Sequence, residues 1–154
     1  MKQSDRTLPT GEKNGSKRHV LVDEHGVPLS IVVTGANRHD VSQLENVLDS
    51  IVVERPETMQ TLLADKGYYG EPSEATMRER NYVPRIKARG REIQDKRNRP
   101  ETKNRRWVVE ASHSWFNRFR KLLVRFEKLA ISHEALVHFA AAIIAFRKIG
   151  VIYG

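Results

Sequence analysis

Two short runs of β-forming residues, separated by only three positions, constrain this chain most. Residues 18–23 (RHVLVD) and 27–33 (VPLSIVV) flank Glu24, His25 and Gly26. A gap this short, with a glycine in it, reads as the turn of an antiparallel hairpin. Further on, Asp40 with Gln43 three residues later has the form of a capping box. Val41, Leu44, Val47, Leu48, Ile51 and Val52 then recur at helical spacing. Asp40 is accordingly assigned to a helix N-cap, not to a site shared with His39.

The remaining pattern alternates strands and helices. Residues 61–65 (TLLAD) predict a buried strand that stops at a glycine-containing loop. Residues 72–80 predict a short helix and 82–87 a strand, which Pro84 places at or near a sheet edge. Residues 88–102 are basic and irregular, as expected of a loop. One long helix is predicted over 103–128. Residues 132–149 are apolar almost all round, as expected of a helix packed inside the core. Residues 1–16 are a polar lead-in without periodicity, which leaves 17–154 as one α/β domain.

Composition narrows the function. The 154 residues include no cysteine, which removes disulfides, thiolate nucleophiles and zinc-thiolate sites. No stretch is apolar enough to cross a membrane, and no signal-peptide core opens the chain, so a cytoplasmic location is expected. The formal charge is +8, but it is concentrated. Residues 1–84 hold 10 Lys/Arg against 13 Asp/Glu, whereas residues 85–128 hold 15 against 5. A segment this basic fits polyanion binding, and equally a solvated charged surface.

Two carboxylates stand out against that background. Asp65 ends a predicted buried strand just before a glycine loop, where α/β sheets often place ligand chemistry; the ordinary alternative is a turn cap. Glu110 lies in the predicted long helix. Val108, Ala111, Trp115, Phe119, Leu122 and Phe126 form one side of that helix by spacing. Lys103, Arg106, Glu110, Ser114, Asn117 and Lys121 form the other. An exposed pairing of Glu110 with Arg106 contributes only about 0.3–0.5 kcal/mol. The functional alternative is a metal-binding carboxylate among phosphate-contacting bases. Carboxylates without thiolate partners suit hard cations such as Mg²⁺ or Mn²⁺, and a pair of such ions supports phosphodiester chemistry.

Five local strings, in order, then carry a resemblance: KRHVLVDEHGVPL (17–29), TGANRHD (34–40), LLADKGY (62–68), PRIK (84–87) and RRWVVEASHSWFNRFRKL (105–122). The chain resembles the DDE transposases of bacterial insertion sequences, in the group whose catalytic domain is ribonuclease-H-like. The resemblance implies a mixed sheet with flanking helices, DNA cleavage and strand transfer, and a Mg²⁺ or Mn²⁺ cofactor. It places the second acid of the family's triad on Asp65 and the third on Glu110, as metal ligands.

Around the third acid the family carries a tyrosine, an arginine four positions before it and a lysine seven positions after. Arg106 matches the arginine, while Lys103 and Asn117 occupy the other two positions. Lys87, Lys103, Arg106, Asn117, Arg118 and Lys121 are the expected DNA-contacting set, with Arg118 and Lys121 standing in for the departed lysine. The first acid has no counterpart. Asp5 belongs to the lead-in and Asp23 to the hairpin turn, so the sheet is expected to be incomplete at the N-terminus. Weak or absent activity of the chain alone is the expectation, as a truncated element or as one frame of a frameshifted transposase. Expected partners are DNA (element ends and target), a second copy of the chain, and a separate upstream-frame product. A non-catalytic DNA-binding remnant is the alternative.

Overall fold

A computed structural model describes residues 15–86 and 106–152. The chain is mixed α/β, with two small sheets and helices packed around them. Strands β1 (Ser16–Val22) and β2 (Pro28–Gly35) form the expected hairpin, antiparallel in a register running from Ser16 opposite Gly35 to Leu21 opposite Ser30. Asp23 organises the turn, its carboxylate accepting from the backbone N–H groups of His25 (2.9 Å) and Val27 (2.8 Å). Helix α1 (Leu44–Asp49) follows a short 3₁₀ turn over Val41–Gln43. Strands β3 (Gln60–Ala64) and β4 (Tyr82–Ile86) are parallel and are joined through α2 (Glu71–Glu79). Pro84 sits in β4, which among the described residues pairs only with β3, consistent with an edge. Helices α3 (Arg106–Asn117), α4 (Arg120–Leu123) and α5 (Ala130–Ile152) complete the described chain.

Alternation along β1 explains the architecture. Successive strand side chains point to opposite faces. Val20 packs into a core made by Ile31, Phe116, Leu122, Val137, Ala140 and Ile144. Its neighbour Leu21 packs into a second core made by Leu44, Leu48, Leu62, Met77 and Tyr82. The hairpin is therefore sandwiched, with α3 and α5 on one face and α1 with the β3–α2–β4 unit on the other. Arg80, at the end of α2, ties the second core's helices together by reaching Asp49 (2.7 Å) and Glu45 (2.8 Å) on α1.

Five expectations need correction. The single mixed sheet is two separate two-stranded sheets among the described residues, with no ladder between them. β3 is not buried on both faces: Leu62 is buried, but Leu63 is 54% exposed. The helix after Asp40 spans only 44–49, and Val41 and Val52 stay exposed. The long helix predicted over 103–128 breaks at Phe119, whose backbone is extended (φ −82°, ψ 106°). Its residues 103–105 lie outside the described stretch, and Phe126, assigned to its apolar face, is exposed. The last helix is present but is not enclosed, since one whole side of α5 faces solvent. The predicted lead-in to residue 14 and the basic loop over 88–102 also lie outside the described residues.

Candidate active site

β3 ends one residue before Asp65, whose backbone is extended (φ −75°, ψ 165°) and whose carboxylate accepts from the backbone N–H of Lys66 at 2.8 Å. Asp65 is thus an exposed carboxylate at a strand terminus and a cap for the 3₁₀ turn Lys66–Tyr68. Within that turn Tyr68 is half-buried. Burial, reinforced by the negative charges of Asp40 and Asp65, pushes its phenol up to about 12. Tyr68 therefore marks the place where the LLADKGY and TGANRHD strings meet.

Asp40 overturns the capping-box assignment. Its backbone is already helical (φ −58°, ψ −41°) and its side chain makes no cap. The carboxylate turns back onto β1 instead, reaching Lys17 Nζ at 2.7 Å and His19 Nδ1 at 3.1 Å. His19 is buried, and its other ring nitrogen lies 2.8 Å from Thr34 Oγ1 on β2. Lys17, His19, Thr34, Asp40 and Tyr68 form a polar constellation that the sequence reading missed. The available signal was the adjacency of His39 and Asp40 in the run at 37–40, which was set aside for the cap.

Glu110 is carried by α3. Its buried line is Val108, Ser112 and Phe116, four residues apart, so Glu110, two residues from both Val108 and Ser112, emerges on the solvent side. Trp115 and Phe119 flank the core and Phe116 occupies its centre, one position from where the expected stripe placed the weight. The helix is fixed along the hairpin at two points, its turn and β1. Ser112 Oγ donates to the carbonyl of Gly26 at 3.0 Å, and Asn117 Oδ1 accepts from Arg18 Nη2 at 2.8 Å. Glu110 consequently stands toward the turn end of the hairpin, whereas Asp40 and Tyr68 gather near the other end of β1.

The predicted DNA-contacting residues divide. Lys87 and Lys103 lie outside the described residues, and so does the side chain of Arg106. Asn117 is engaged by Arg18. Arg118 and Lys121 are exposed just beyond the end of α3. Arg118 also lines a cavity of about 420 Å³ with Trp115, Phe119, Ile144, Arg147, Lys148 and Val151. Lys148 lies 4.1 Å from the Trp115 ring centroid. Arg147 and Lys148 thus extend the basic surface onto α5, where a reading confined to residues 85–128 did not look.

The donor chemistry of Asp65 and Glu110 suits a hard divalent cation. The described residues do not complete a site for one: no group of three or more acidic or histidine side chains among them is placed to hold a metal ion.

Three histidines also bear on stability. His19, His113 and His133 all have their pKa lowered from the usual 6.5, chiefly by burial; Arg18 adds to this at His113, Arg125 and Arg18 add to it at His133, and Asp40 opposes it at His19. The unfolded chain takes up these protons first as pH falls, so the fold loses stability below about pH 6.5, until the lower folded values are passed. The urea midpoint is expected to be lower at about pH 5.5 than at about pH 7.5. A midpoint that rises on acidification would contradict this assignment.

Comparison with known proteins agrees with the strings. A family model described as the transposase DDE domain matches residues 3–145. A Burkholderia cepacia protein named "Putative transposase for insertion sequence element IS402" is 33% identical over 155 residues, covering 95% of this chain and 67% of that protein. No solved structure matches. No described helix is long and apolar enough to cross a membrane. A match over most of the chain, by both family model and relative, leads to one assignment: the chain belongs to the transposase DDE domain family.

Proposed function

We propose that this chain acts on DNA as part of a ribonuclease-H-like transposase domain, contributing Asp65 and Glu110 to a site that cleaves and rejoins phosphodiester bonds with Mg²⁺ or Mn²⁺. The match to the transposase DDE domain family carries the reading; the resemblance sets Asp65 and Glu110 at that family's second and third acids, and both carboxylates are exposed, one at a strand terminus and one on the solvent face of α3. Exposed Arg118, Lys121 and Arg147, with half-buried Lys148, continue from the end of α3 onto α5, giving a surface suited to a DNA backbone.

A three-carboxylate site needs a third ligand. The described residues hold no such trio, so the chain alone is expected to bind DNA while cutting it weakly or not at all. That behaviour is also what a purely DNA-binding remnant would show.

The test is a plasmid-nicking assay with Mg²⁺ or Mn²⁺, run beside fluorescence-anisotropy binding over a salt series. Salt-dependent binding with little or no nicking is the expected result. Replacing Arg118 or Lys121 by alanine should reduce the salt slope by about one unit for each lost phosphate contact. Robust nicking that disappears in Asp65→Ala or Glu110→Ala would overturn the expectation of weak activity and strengthen the site assignment. Affinity that does not respond to salt would overturn the DNA-backbone reading.

A further inference from the structure

Helix α5 has two apolar faces, and one of them has no partner among the described residues. Val137, Ala140 and Ile144 are buried in the core beside α3 and the hairpin. On the opposite side Ser132, Ala135, Phe139, Ala142, Phe146 and Ile149 are all exposed, Phe139 by 65% and Phe146 by 79%. Their spacing alternates three and four residues, the repeat of a helix seam that packs on another helix. A covered phenylalanine removes roughly 150–250 Å² from water, and contiguous apolar patches of this kind mark association surfaces.

The order of side-chain sizes says what covers the seam. Small and large residues alternate as Ala135, Phe139, Ala142, Phe146. Take a centre between residues 140 and 141 and read the same helix backwards. Phe139 then falls on Ala142, Ala135 on Phe146, and Ser132 on Ile149. These crossed pairs are how the seams of two antiparallel helices meet. A parallel pair would set Phe139 against Phe139 and Ala142 against Ala142, crowding one layer and leaving a void in the next, both of which are destabilising.

Charge points the same way, though weakly. Glu134 lies near the start of the helix and Arg147 near its end, at equal distances from that centre, so the antiparallel arrangement brings opposite charges to the same level. We propose that the exposed seam of α5 binds a second copy of this chain as an antiparallel, two-fold symmetric helix pair. An unrelated partner would have no reason to match this size pattern, whereas the pattern matches itself.

The experiment is analytical ultracentrifugation of the full chain and its variants, with disulfide trapping to fix the register. The wild-type chain is expected to form a reversible dimer. Phe139→Glu or Phe146→Glu should raise the dissociation constant roughly 30-fold or more, as loss of a central aromatic anchor does. Because both residues are exposed, circular dichroism should stay unchanged. The chain has no cysteine, so introduced thiols report cleanly. The double variant Ala135→Cys/Phe146→Cys should oxidise to a covalent dimer, whereas each single variant should not. In the antiparallel pair a residue at 135 lies about 16 Å along the axis from its own copy, beyond the roughly 7 Å that a disulfide spans between Cα atoms. A wild-type chain that stays monomeric, a dimer indifferent to Phe139→Glu, or efficient trapping through Ala135→Cys alone would each overturn the proposal. The first two would point to a different occupant of this face, the third to a parallel pair.

Discussion

Phe116→Ala is expected to reduce the free energy of unfolding by about 3–5 kcal/mol, the range for emptying a buried aromatic site. Phe116 has no solvent exposure and touches side chains from β2, α4 and α5 at the centre of the first core. The Arg18 guanidinium lies 5.5 Å from its ring centroid, so the deletion also strips a half-buried cation of its aromatic neighbour. A typical domain is stable by about 5–15 kcal/mol, so the variant should be partly unfolded at physiological temperature. Phe116→Leu, which retains most of the volume, should cost roughly 1–1.5 kcal/mol. Urea denaturation of the two variants checks this. A loss below about 1.5 kcal/mol for the alanine variant would mean that the surrounding elements close around the space, and that this core is softer than its burial implies.

Gly26→Val carries the second large effect. Gly26 has φ +83°, a backbone region that β-branched residues scarcely enter. A Cβ there would also lie 3.1 Å from Ser112 Oγ and 3.2 Å from the Trp115 ring. Backbone strain of about 1–3 kcal/mol and crowding of about 1–3 kcal/mol act together at one position, for an expected loss of roughly 2–6 kcal/mol. The same replacement would displace the Gly26 carbonyl that Ser112 uses to hold α3 on the hairpin. A double-mutant cycle separates the two contributions. Gly26→Ala should cost less in a Ser112→Ala background, because the shortest contact has been removed. Strict additivity would show that hairpin and helix do not approach this closely in solution.

What the sequence disclosed depended on how local each signal was. The hairpin was legible because its turn chemistry and both strands lie within about twenty consecutive residues, and Asp23 caps the turn from within it. The α2–β4 segment and the edge character of Pro84 were legible for the same reason. Asp40 was misread because its partners, Lys17 and His19, are more than twenty positions away, while Gln43 offered a plausible local one. The break at Phe119 was invisible because apolar periodicity continues across it, and periodicity reports faces and not backbone angles. Helix α5 was assigned to the interior because apolar residues on all sides describe a fully buried helix and one with an exposed apolar side equally well. Asp65 and Glu110 were singled out by a predicted strand end and a predicted helix face, and the matched strings then gave them their expected roles; Tyr68 only became informative when burial and two nearby carboxylates were seen to act on the same phenol.

The hairpin between two cores has a consequence for how the molecule is made. One of its faces can close soon after it leaves the ribosome, because α1 follows directly. The other must wait: Gly26 meets Ser112 across 86 positions, Arg18 meets Asn117 across 99, and Ser16 meets His133 across 117. Until the last helices emerge, Val20, Ile31 and Val33 have nothing to rest against. Nascent chains in that interval present a greasy, unfinished ribbon, and chaperone dependence or aggregation during synthesis would originate there, not in the finished protein.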